Sequence, residues 1–199
     1  MKILNFWMVA FMALSLSTTL TSCSDDDEKK EETEMKTLTV DATAYNQWVY
    51  VNLKNGKTQT VTMEGSDDES AVTVDWQIAI HRYTEVKTNG GSVVKTDMTD
   101  MSKVTTIPTG GYVADESEQN ILVRFAMPPT DDCYVKSHCN TAMVWTEGSA
   151  MAGTLATTNN VFVLKCKDGT YAKLQFTDFA NADNVKGHCL LYTSDAADE

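Results

Sequence analysis

From about Lys36 to Gly187 the apolar residues of this chain recur at every second position, and no run of useful length repeats them at i, i+3, i+4 and i+7. A period of two sends alternate side chains to opposite faces of an extended backbone, so the pattern commits the body to β-structure. In "QWVYVNL" Trp48 and Tyr50 fall on one face, and Val49, Val51 and Leu53 on the other. "KNGK" supplies the turn of a hairpin into "TQTVTM". "NVFVLKC", "KDG" and "TYAKLQFTD" spell a second hairpin. "ILVRFAM" runs into Pro128-Pro129, which lack the N–H a ladder needs and stop the strand. Only "DMTDMSK" has the makings of a helical turn. The expectation is one all-β, mainly antiparallel domain over residues 37–188, long enough to bury a real core.

Both ends depart from that pattern. The opening "MKILNFWMVAFMALSLSTTLTSC" has one lysine, an apolar stretch from Ile3 to Leu16, then small and hydroxyl residues up to Cys23. The apolar part is too short to span a bilayer, so residues 1–22 read as a secretory signal peptide. "LTSC" resembles a bacterial lipobox, which implies cleavage before Cys23 and acylation of its thiol and new amino group. Several acyl chains, at roughly 0.8 kcal/mol per buried CH2, hold a protein on a membrane stably. "SDDDEKKEETE" is highly charged and lacks aromatics, so residues 23–36 read as a lipidated cysteine and a disordered acidic tether. An acidic stretch in that place also resembles the surface-export signals of some Gram-negative lipoproteins. Residues 24–36 hold seven acids and three lysines, so −4 of the chain's −12 belongs to the tether. At the other end "CLLYTSDAADE" resembles the translated read-through of a sequencing adapter. On that reading residues 189–199 are a non-native tail, His188 and Cys189 carry no functional weight, and the domain lacks its closing strand.

An acidic chain without a basic run is disfavoured for nucleic-acid binding. There is no phosphate-cradling glycine loop, nucleophile elbow, HExxH or CxxC. With His188 set aside, His81 and His138 remain, thin provision for acid–base catalysis, and the chain reads as a non-enzyme. Cys133 and Cys139 in "CYVKSHC" are near enough in sequence to close a small disulfide loop in an oxidising compartment. Free thiols are the alternative, as is a Cys2His metal site through His138, for which zinc would need a fourth ligand. Met127 and Met151 fall at loop positions beside strand ends, where binding groups are mounted, although methionine ordinarily fills gaps in a core.

His81 closes the run "VDWQIAIH". By alternation Val74, Trp76, Ile78 and Ile80 share one face, and Asp75, Gln77, Ala79, His81 and Tyr83 the more polar other. A lone histidine beside Arg82 and Tyr83 at a strand end reads as hydrogen-bonded structure rather than a site.

In chain order, "VDATAYNQWVYVNLKNGK", "DWQIAIHRYTEVKTNGG", "VTTIPTGGYVAD" and "DGTYAKLQFTDF" resemble the HmuY family of haem-binding surface lipoproteins, from Leu38 to Gly187. The most specific part is W-x-x-A-x-H-R-Y, carried by Trp76, Ala79, His81, Arg82 and Tyr83 and followed by "KTNGG". The resemblance implies a hand-shaped all-β fold with haem, iron protoporphyrin IX, held between loops at one end. It implies two axial ligands on two loops, histidines in one type and methionines in another, with the counterpart of His81 not among them. The matching loops here are "FAMPPTDDCYVKSHCN" and "WTEGSAMAGTLATTNNVFVL", and neither has a histidine where the bis-histidine type would place one. Met151, ten residues before Val161, has the spacing of the methionine-ligated type. Met127 is the second candidate, with Met143 and His138 in reserve, and Trp145, Phe125 and Tyr134 as candidate lining.

The resemblance also implies a haemophore-like role at the outer membrane, surface-exposed on a lipid anchor or released. Such a protein takes haem from host haemoproteins and passes it to a TonB-dependent outer-membrane transporter. Two functions of other classes compete with it: a surface adhesion or glycan-binding β module, and a structural lipoprotein with no small ligand.

Overall fold

The computed structural model describes residues 35–195. The expected signal peptide, Cys23, the expected tether up to Glu34 and residues 196–199 lie outside the described residues. Within them the alternation becomes strands β1 Lys36–Asp41, β2 Gln47–Val51, β3 Thr58–Thr62, β4 Ile78–His81, β5 Glu85–Thr88, β6 Ser92–Lys95 and β7 Val113–Ala114. There follow β8 Ser117–Leu122, β9 Tyr134–Cys139, β10 Thr146–Glu147, β11 Ala156–Thr157, β12 Val161–Lys165, β13 Tyr171–Ala180 and β14 Lys186–Asp195. A six-stranded sheet has the order β1-β14-β13-β12-β6-β7, a four-stranded sheet the order β3-β2-β4-β5, and β8–β9 and β10–β11 form two ribbons. The paired strands run antiparallel, and the fold is all-β as the period requires.

The two sheets face one another across the main core. Val49, Val51, Ile78 and Ile80 pack in one cluster with Phe162, Leu164, Leu174, Phe176 and Leu191. Trp145 joins them, stacked on Phe176 with ring centroids 4.5 Å apart. The outer faces are covered as well. Trp48, Tyr50 and Ala79 look the other way and meet Ile121, Val135 and Cys139 of the β8–β9 ribbon. Val161 and Val163 lie beneath Met101, Val104 and Tyr112. Met101 sits in the helical turn foreseen in "DMTDMSK", a 3-10 turn over Met101–Lys103, where the Asp100 carboxylate accepts from the Ser102 N–H at 3.0 Å. Cover on both sides explains why "VFVL" reads as an unbroken apolar run, and each such buried side chain contributes about 1.5–3 kcal/mol.

The sequence turns hold as written. Asn52 Oδ1 accepts from the N–H groups of Lys54 and Asn55, both at 2.9 Å, before Gly56 turns the chain at φ +73°. Asp168 holds Thr170 in the second turn, and the Lys54–Asp168 ion pair at 2.9 Å links the two.

Three expectations fail, each for a local reason. Regular strand begins only at Ile78, because the chain bends at Gln77. The Gln77 N–H donates to Val51 O at 3.0 Å, and its Oε1 accepts from the Leu53 N–H at 2.9 Å. The bend changes the face of the residues before it, so Trp76 meets Tyr50 edge-on at 4.9 Å instead of joining Ile78 and Ile80, while His81 keeps the expected face with Ala79 and is buried there against Trp48. Strand β8 stops at Leu122, well short of Met127, because the N–H groups of Val123 and Arg124 both turn to Cys133 O. The third departure lies at the C-terminal end, where residues expected as tail take part in a strand. Lys186–Asp195 fills the slot between β1 and β13, pairing Thr193 with Lys36 and Asp195 with Ala172. Cys189 and Leu191 are fully buried and Thr193 nearly so. The alternation Cys189, Leu191, Thr193 is short, but two flanking ladders are enough to hold it, and Cys189 is core rather than tail.

Candidate functional site

Met151 crowns the loop between β10 and β11. Gly148 enters that loop at φ +86°, where a Cβ would stand 2.2 Å from Thr154 O. Only glycine lets the two sides of the loop close. They do so through Thr154 N–H to Ser149 O at 3.0 Å and Ser149 N–H to Thr154 Oγ1 at 3.1 Å. The loop braces itself, and the Met151 side chain at its crest is 88% exposed.

Met127 stands in the loop between β8 and β9 and is 73% exposed, on the same hairpin as the exposed Phe125 and Tyr134. Arg124 and Thr130 both bond the Asp132 carboxylate within this loop. The Thr130 hydroxyl first, then the Arg124 guanidinium, hold that carboxyl below the usual range. A thioether in a core is filler, whereas one carried outward on a braced loop is an available soft donor.

The remaining candidates separate. Met143 and Trp145 are each 1% exposed and belong to the main core, so neither is free to ligate or to line an outer slot. His138 points outward from β9, opposite Glu118. The expected disulfide is corrected: Cys133, just before β9, and Cys139, its last residue, are free thiols. At roughly 3.3 Å per residue they lie about 20 Å apart, and a disulfide needs Cα atoms within about 7 Å. Among the described residues no cluster of three His, Cys, Asp or Glu side chains could hold a metal ion, which leaves the Cys2His alternative without partners.

The W-x-x-A-x-H-R-Y residues form a corner. His81 Nε2 faces Tyr45 O at 2.6 Å and Nδ1 faces Glu85 Oε2 at 2.9 Å, so both ring nitrogens are committed. Burial pushes the Glu85 carboxyl up, but the hydrogen bond and charge of His81 and the Thr84 hydroxyl outweigh it and leave Glu85 below the usual range. Arg82, at φ 53°, lays its guanidinium over the Tyr45 ring at 4.1 Å and donates to Thr43 O. Thr146 Oγ1 donates to Tyr83 O at 3.2 Å. The Met151 hairpin therefore starts from this corner.

A second anchor escaped the sequence reading. Lys87 is 3% exposed, with its ammonium 2.8 Å from Asp67, 2.7 Å from Glu69 and 4.6 Å from the centre of the Trp48 ring. Burial lowers its pKa, but the two carboxylates more than reverse that and hold it above the ordinary lysine value. Ser137 of β9 also donates to Asp67, so the network fastens the Met127 hairpin to the four-stranded sheet. A lysine in a strand reads as solvated, and only the acidic run "DDE" at 67–69 hinted at a partner.

Clefts among the described residues include one of about 620 Å³ between the 65–67 loop and Tyr134 and one of about 190 Å³ between Trp76 and Lys167. Neither is lined by Met127 or Met151. Among the described residues no helix is long and apolar enough to cross a membrane.

No curated protein matches the chain. Solved structures do. The apo HmuY analogue of Tannerella forsythia is 31% identical with a TM-score of 0.72, over 84% of this chain and 98% of that one. A protein of Bacteroides vulgatus, proposed to be HmuY-like and haem-binding, is 30% identical with a TM-score of 0.73, over 84% and 94%. A protein of Bacteroides fragilis, proposed to be a lipoprotein, is 29% identical with a TM-score of 0.73, over 85% and 93%. The HmuY protein family model matches residues 44–192, a span that takes in the His81–Tyr83 corner, both methionine loops and most of β14. By that match and by its fold, the chain belongs to the HmuY family.

Proposed function

We propose that this protein is a haem-binding lipoprotein of haemophore type, which captures haem at the cell surface and passes it to an outer-membrane haem transporter. The observation that carries the reading is a pair of outward methionines, Met127 and Met151, on consecutive hairpins of a HmuY-family chain. The relative from Bacteroides vulgatus, itself proposed to bind haem, supports it. The residues fit such a ligand. Iron protoporphyrin offers two axial positions to soft neutral donors, and its flat apolar faces suit exposed rings such as Phe125 and Tyr134. Met127 and Met151 are the axial ligands in this reading, and Cys23 carries the lipid anchor. Capture and handover need no bond making in the substrate, so the protein acts as a carrier and not as an enzyme. Its partners are host haemoproteins as donors and a TonB-dependent transporter as acceptor.

Uncharged thioethers stabilise reduced iron over oxidised iron. The test is a spectroscopic titration of the purified protein with haem in both redox states. A Soret shift is expected, with tighter binding in the ferrous state and its loss in Met151→Ala. Equal ferric and ferrous affinities would sink the methionine assignment, and no spectral change in either state would sink haem binding itself.

A further inference from the structure

Haem carries two propionates, and a chain with a net charge of −12 repels them unless a cation is placed to receive them. Most cations near the two methionine loops are already committed. Arg124 pairs with Asp132, Lys136 with Glu118 at 2.6 Å, and Arg82 is held by the Tyr45 ring and Thr43 O.

Lys186 differs. It opens β14, is partly buried, and reaches back across the fold so that its ammonium lies 3.4 Å from the carbonyl of Ala150, the residue before Met151. That contact is long for a hydrogen bond and engages at most one of three N–H donors. None of the ion pairs among the described residues involves Lys186. An ammonium that is in no ion pair among the described residues thus stands one residue from the Met151 crest, with the exposed Val185 next to it in the chain.

We propose that Lys186 is the propionate-recognising cation of the site, so that the protein selects porphyrins bearing free carboxylates at the rim. This rests on the haem reading above. Lys186 also touches the Met151 loop, so a mere brace has to be distinguished from a charge partner, and the ligand can be changed to do it. Haem dimethyl ester keeps the iron and the apolar faces but lacks the charges.

Titration of wild type, Lys186→Gln and Lys186→Arg with ferrous haem and with its dimethyl ester gives the answer, with thermal unfolding as a check on the fold. Wild type is expected to bind haem about tenfold more tightly than the ester, the loss typical of one charge-assisted hydrogen bond. Lys186→Gln should lose that tenfold toward haem and nothing toward the ester, and Lys186→Arg should keep most of it. Equal wild-type affinities for the two ligands, or equal weakening of both in Lys186→Gln, would overturn the assignment while leaving haem binding intact. A wild type that binds neither would overturn both.

Discussion

At the scale of the residue, Gly148 is the most constrained position near the candidate site. It combines a left-handed φ with a Thr154 carbonyl that leaves no room for a Cβ. Gly148→Ala is expected to spoil the crest that presents Met151, abolishing the haem-induced Soret shift at a stability cost of about 1–3 kcal/mol, read by denaturant unfolding. Glu85 makes a pH prediction. Its carboxyl is depressed in the fold, so the stability it contributes is full above the ordinary carboxylate value and drains as pH falls through the lower, folded value. Wild type should therefore lose denaturant midpoint more steeply in acid than Glu85→Gln does, and parallel acid limbs would contradict the pairing with His81. The local meaning of His81 was legible, since a histidine between Ile80 and Arg82 at a strand end suggested structure. That it would be buried against Trp48 was not, because its face is covered by residues distant in sequence, the β8–β9 ribbon over Trp48 and Ala79 and the Tyr45 carbonyl at its ring.

At the scale of the element, Asn140 separates the two methionine hairpins. Its amide donates to Val113 O and Asp115 Oδ1, both at 2.8 Å, and its backbone N–H donates to Val86 O at 2.8 Å. Asn140→Ala leaves the Asp115 carboxylate short of a donor in a buried setting, which already pushes its pKa up. The expected loss is about 1–3 kcal/mol in urea unfolding. Strand β14 gives a second test, because Leu191 is fully buried. Leu191→Ala should cost about 2–5 kcal/mol, whereas a dispensable tail would lose nothing. Strands β2 and β13 were legible from their alternation, β12 from its apolar run, and all three from their turn residues. The closing strand was not, because Cys189, Leu191 and Thr193 give only three points of pattern, and their support comes from the ladders of β1 and β13.

At the scale of the whole molecule, the sheets are sealed on both faces, and no disulfide joins Cys133 to Cys139. Burial pushes the Cys139 and Cys189 thiols up to about 12, so neither is reactive near neutrality. The melting temperature should be the same with and without a reductant, and a fall on reduction would revive the disulfide. The all-β class was legible from periodicity alone, whereas the buried charge that docks one ribbon on the sheet was not. That docking has a mechanical consequence. The β8–β9 ribbon is a separate two-stranded unit, tied to the four-stranded sheet by the Lys87–Asp67–Ser137 link, by Asn140 and by apolar contacts. Since the ribbon shares no ladder with either larger sheet, its seat on them rests on side-chain burial and on that ionic link, and is only as firm as those contacts.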